Sequence, residues 1–174
     1  MNKRLVSILL RYPVLIIIGF FIPILYTVFS PLTVYPSFFL LKIFYPALLE
    51  GNSIVFPNLI IKIIDACVAG SAYYLLLILN LSTPSINIKK RLSMLGVAFL
   101  SFLFINIFRI FFLSILAVSG NSFFDITHKI FWYAISTVFV VGIWFAEARI
   151  FRIKDIPFYS DMKLLAKKSY LKKD

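Results

Sequence analysis

The chain has 174 residues, of which 61% are hydrophobic, 18% aromatic and only 14% charged, with a mean hydropathy of +0.98. A water-soluble enzyme is excluded, because a 20.0 kDa globule has too little interior to bury that much apolar surface. One Cys, one His and seven carboxylates exclude a disulfide scaffold and a Cys/His metal cluster, while the net charge of +11 demands hydrated faces for eighteen basic residues.

A helical membrane span takes about 20 mostly apolar residues. Four segments meet that length and predict an all-α integral membrane protein. The first covers about 13–29 and holds Pro23, which membrane helices tolerate better than soluble ones. Lys3 and Arg4 ahead of this run give it the look of a signal peptide. No small-residue cleavage site follows, so it is expected to be a retained span. A stretch over about 38–49 is too short to span and is broken by Lys42 and Pro46, which predicts an interfacial or re-entrant helix. The second span covers about 66–81 and the third, the longest, about 92–116. The fourth covers about 129–145, with Trp132, Tyr133 and Trp144 near its ends, where aromatic belts form. Neither repeats nor an obvious linker are present, so residues 1–174 read as one membrane-embedded domain ending in a basic tail, 146–174.

Charge sorts cleanly on this scheme. With the N-terminus inside, segments 1–12, 82–91 and 146–174 carry fourteen of the eighteen Lys and Arg and net +10, whereas the outer loops net zero. The positive-inside rule therefore predicts cytoplasmic N- and C-termini in a multi-pass cell-membrane protein. Lys89, Lys90 and Arg91 read as topology signals alone, and the basic tail as an anchor to anionic lipid headgroups. A nucleic-acid partner is not expected, since no soluble domain presents a reading surface.

Arg109 is the one charge left inside a span, seventeen residues into the third, or about 25 Å along a helix rising from the cytoplasmic face. Cys67 opens span two and His128 stands where span four begins, so the only thiol, the only imidazole and this arginine fall near the outer interface on three helices. Each residue also has an ordinary role: a packing Cys, a wetted interfacial His, an Arg reaching outward to headgroups. Asn106, one turn before Arg109, suits hydrogen bonding within the bundle, and Asp65 and Asp125 read as solvated loop acids. As a set, the three residues suit acyl transfer through a thioester at the outer face. A His or Arg beside a thiol stabilises the thiolate, His can shuttle the proton, and Arg can hold an oxyanion. No cofactor is required. The alternative is a non-enzymatic bundle, a scaffold or transporter subunit with Arg109 as a substrate or headgroup anchor.

The run Asp65-Ala66-Cys67-Val68-Ala69-Gly70, the run Asn106-Ile107-Phe108-Arg109-Ile110 and His128, in that order on successive helices, resemble the exosortase/archaeosortase family over roughly residues 50–145. The short chain resembles the archaeosortase side. Many members place Ser or Thr and then Gly or Ala after the cysteine, where this chain has Val68 and Ala69. The resemblance implies a multi-pass, sortase-like cysteine transpeptidase. It would cleave exported proteins bearing a C-terminal tripartite signal (a short motif, an apolar helix and a basic cluster) and join them to a lipid or other envelope acceptor. It further implies Cys67 as nucleophile, His128 as general base and acid, Arg109 as the third catalytic residue, and membrane lipid as partner.

Overall fold

The computed structural model describes residues 3–84, 86–132, 136–153 and 155–163. The chain is mostly helical, with one small antiparallel sheet. In order it forms α1 (Lys3–Gly19), α2 (Ile22–Phe44), β1 (Leu48–Glu50), β2 (Ser53–Phe56), β3 (Leu59–Lys62), α3 (Asp65–Val68), α4 (Gly70–Ser82), α5 (Ile88–Val118), α6 (Phe124–Ile130) and α7 (Ser136–Ile150). Three stretches are long and apolar enough to cross a membrane: α2, the α3–α4 stretch Asp65–Ser82, and α5.

The expected first span, 13–29, is not one helix. The chain turns at Phe20 and Phe21, and Pro23 sits in the first turn of α2. That position suits a residue with no N–H to donate. The expected interfacial helix over 38–49 is also absent. Its first half completes α2, which ends where Tyr45 is held extended (φ −136°, ψ 144°) ahead of Pro46. Its second half enters β1, so the molecule is not all-α. Two-residue turns at Gly51-Asn52 and Pro57-Asn58 set the register Leu49↔Ile54↔Ile61 across the three strands. Gly51 supplies the positive φ (+59°) that the first turn needs. The sheet's inner face, including Ile54 and Phe56, packs into the helical core.

The second and third spans fall as expected within 65–82 and 88–118. At 31 residues α5 is about 46 Å long, more than a hydrocarbon core requires. The fourth stretch, 129–145, is divided. It covers the end of α6, a π-turn at Phe131 and Trp132, and most of α7; Tyr133 lies outside the described residues. Helix α7 continues to Ile150, so Glu147 and Arg149 belong to it rather than to a tail, and the basic residues after Lys163 lie outside the described residues. Trp144 is buried instead of belonging to an interfacial belt.

Aromatic packing fixes how the helices run. Phe29 on α2 stacks on Tyr73 of α4 at 3.7 Å, and Phe99 and Phe102 of α5 meet Tyr73 edge-on. Phe44 meets Phe111 further along, so α2 and α5 run side by side in the same direction. Gly70 permits the close approach of α2 to α4: a Cβ there would stand 2.7 Å from the Tyr26 ring. Large apolar side chains such as Phe39, Ile43, Phe104 and Phe108 point outward from α2 and α5, as a lipid-facing surface requires.

One end of the bundle is tied together by arginines. The last carbonyls of α4 need partners, and Arg91 donates to those of Asn80 and Thr83 (2.9 Å to the latter). Arg11 donates to the Ser82 carbonyl at 2.9 Å and pairs with Asp161 at 2.8 Å, and the Tyr12 hydroxyl also donates to Asp161. Arg91, expected as a topology signal alone, is therefore a helix cap, where cations suit the negative end of the macrodipole. At the same end the Asn80 amide donates to the Glu147 carboxylate at 3.1 Å, which brings α7 back antiparallel to α5.

Candidate active site

Cys67 lies on the four-residue helix α3, at the other end of α4 from this arginine cluster. Helix α3 is short because Ala69 takes the left-handed conformation (φ 58°, ψ 44°), where its N–H bonds to the Asp65 carbonyl. Left-handed backbone is costly for a residue with a Cβ, by about 1–2 kcal/mol. The break turns the chain into α4 and leaves the Cys67 carbonyl without the partner a continuing helix would supply.

Two side chains from α5 take that carbonyl. Asn106 Nδ2 donates to it at 2.9 Å and Arg109 Nη2 at 3.0 Å, with Asn106 also 3.4 Å from the Val68 carbonyl. Asn106 and Arg109 are three residues apart, so they share one face of α5 and grip α3 together. Arg109 Nη1 also donates to Ser136 Oγ at 3.1 Å, and Ser136 in turn donates to the Phe131 carbonyl at 2.7 Å. The guanidinium thus joins α3, α5 and the start of α7. Its expected alternative, reaching outward to headgroups, is not what the structure shows: the group turns inward. Arg carries five N–H donors, of which these bonds occupy two. Buried Nε has no partner among the described residues.

His128, on α6, is held between aromatic rings. Phe124, one turn earlier, stacks on the imidazole at 5.6 Å with planes 7° apart, and Trp132, one turn later, meets it edge-on at 5.8 Å. Among the described residues no hydrogen bond joins the Cys67 thiol to the imidazole. What unites them is a cavity of about 500 Å³ whose walls include Cys67, Arg109 and His128. Residues 61–64, Tyr26 of α2, and Phe131, Trp132 and Ser136 also line it. All three singular residues of the sequence therefore meet at one cavity. Asp65 and Asp125 stay exposed, as expected of solvated acids.

Sequence reasoning missed Ser136, Tyr26 and the β-sheet wall. Ser136 and Tyr26 carry no local signal, because a lone Ser or Tyr in an apolar run is unremarkable. The sheet does carry one. Gly51-Asn52 and Pro57-Asn58 punctuate short runs rich in Ile and Val, the pattern of consecutive hairpins. No group of three or more His, Cys, Asp or Glu able to hold a metal occurs among the described residues. Compared with protein-family models, curated proteins and solved structures, the chain matches none.

Proposed function

We propose that this protein is a membrane-embedded cysteine transpeptidase or protease of the archaeosortase type, acting on exported proteins with a C-terminal sorting signal. The observation that carries the reading is the shared cavity. The only Cys, the only His and the one arginine deep in a span line a single wall-to-wall space, and no other pattern in the sequence required them to meet. In the proposed reaction His128 takes the Cys67 proton, and the thiolate forms a bond to the scissile carbonyl carbon. The carbon–nitrogen bond then breaks and the amine leaves with the proton held by His128, giving a thioester on Cys67. An amine, hydroxyl or water from the acceptor attacks the thioester, and the thiol leaves as the product acyl bond forms. Arg109 steadies the backbone of the nucleophile and keeps N–H groups free for the developing oxyanion. Asn106 acts as a positioning residue through the Cys67 carbonyl.

The topology follows the same reading. Helices α2, α3–α4 and α5 are three crossings, and the α6–α7 stretch, running from the Arg109 level back to Asn80, is taken as the fourth. Segments around Arg11, Ser82 and Asp161 then share the cytoplasmic side with most of the positive charge, and the cavity opens toward the outer face.

The test is a comparison of exported-protein C-termini by mass spectrometry in cells carrying the wild-type chain or Cys67→Ala. Wild-type cells are expected to yield termini cut before the apolar helix, and the variant, inserted at an equal level, uncut ones. Identical termini in the two strains would overturn the proposal.

A further inference from the structure

Strand β3 is an edge of the sheet, since the strand order is β1-β2-β3. Its free side is legible from the ladder. Ile63 N–H bonds to the Asn52 carbonyl at 2.9 Å, continuing the register that pairs Ile61 with Ile54. In an antiparallel ladder the residues that face the partner strand alternate. Leu59, Ile61 and Ile63 therefore turn their main-chain groups toward β2, and Ile60 and Lys62 turn theirs away. This edge is next to the candidate site: residues 61–64 wall the cavity that holds Cys67 and His128, and α3 follows at once. It also borders a second hollow of about 270 Å³, where Leu59 faces the α5–α6 connection at Gly120 and Asn121. Ala117 and Phe124 line both spaces, so the two adjoin, with Leu59, Ile61 and Lys62 of β3 and the α5–α6 corner contributing to their lining.

Resting on the proposed function, we infer that the substrate enters these adjoining spaces as an extended polypeptide that adds to β3 as a fourth strand. Its main chain pairs with Ile60 and Lys62, and its scissile carbonyl is thereby delivered to Cys67. An extended peptide is the occupant that matches the wall. It offers donors and acceptors at the strand repeat, whereas a lipid chain would leave the amides and carbonyls of Ile60 and Lys62 without partners. Strand pairing also reads no side chains at the paired positions, which leaves selectivity to the aromatic walls around His128.

The full-length protein in detergent micelles is treated with an acetyl-hexa-alanine chloromethyl ketone. The Cys67 sulfur bonds to the methylene carbon of this probe, and chloride leaves with the electron pair. Two N-methylated versions carry methyl groups on alternate amides, one set in each register, and chloroacetamide serves as a small reference reagent. Relative to their rates with free cysteine, the unmodified peptide is expected to label Cys67 faster than chloroacetamide. One N-methyl register should label about tenfold more slowly, from two lost hydrogen bonds, and the other at nearly the original rate. Ile60→Pro removes one outward N–H while sparing the ladder to β2, and should slow the peptide about threefold with the chloroacetamide rate unchanged. Equal rates for both methylated registers, or a peptide no faster than chloroacetamide, would overturn strand addition while leaving Cys67 as a reactive thiol. Failure of both reagents to label Cys67 would instead sink the catalytic reading on which strand addition rests.

Discussion

The Cys67 carbonyl has two side-chain donors where one would satisfy it, and that redundancy predicts a specific non-additivity. Asn106→Leu removes the 2.9 Å bond, yet Arg109 still holds the carbonyl at 3.0 Å. The cost should be about 1 kcal/mol, offset in part because the variant also removes Asn106 Oδ1, which is buried without a partner among the described residues. Arg109→Met leaves Asn106 on the carbonyl and leaves Ser136 bonded to the Phe131 carbonyl, so no buried acceptor is stranded. Its cost, one charge-assisted bond to a partly buried carbonyl, should be about 1.5–3 kcal/mol. In the double variant the carbonyl loses both donors and the full desolvation penalty appears, about 1–3 kcal/mol beyond the sum of the singles. The assay is reversible unfolding by sodium dodecyl sulfate in mixed micelles, followed by the fluorescence of buried Trp144, for the four members of the cycle. Additivity within about 0.5 kcal/mol would show that the two residues do not share the carbonyl, and the clamp would be wrong.

Gly70→Ala should destabilise by about 1–3 kcal/mol in the same assay, because its Cβ meets the Tyr26 ring rather than a flexible tip, and Tyr26→Ala should restore most of the loss. Ala69→Gly should raise stability by about 1 kcal/mol by relieving left-handed backbone at φ 58°, with unfolding midpoints as the readout. Arg11→Met should cost about 3 kcal/mol by leaving nearly buried Asp161 short of its cation, and adding Asp161→Leu should recover much of it in a double-variant midpoint.

How much was legible depended on whether a feature is local. The lengths of the second and third spans follow from runs of apolar residues alone, and α5 extends past its expected limits only because Ile88–Arg91 and the last turn are also helical. The first span failed because hydropathy is blind to a turn at Phe20 and Phe21 between two equally apolar runs. The helix expected over 38–49 failed because apolar character was read as helical, although Pro46 stops a helix, and Leu48 and Leu49 become a strand only by pairing with Val55 and Ile54. Of the candidate site, Cys67 and His128 stood out because each is the only one of its kind in the sequence, and Arg109 because a charge within a span is costly. Ser136, Tyr26 and the β3 wall did not, since their importance comes from what they face.

Composition alone determined that much of this chain is apolar enough to avoid water, and the positions of its charges showed that fourteen of eighteen basic residues fall in segments 1–12, 82–91 and 146–174. Those properties sum over residues and need no knowledge of neighbours. Two matters were decided only by the tertiary structure. The thiol, the guanidinium and the imidazole converge on one cavity, and the Cys67 carbonyl left open by the break at Ala69 is what draws Arg109 inward. The cause is the need to satisfy every buried polar group. In lipid that need selects a partner by distance in space, and distance in space is set by packing between helices far apart in the chain.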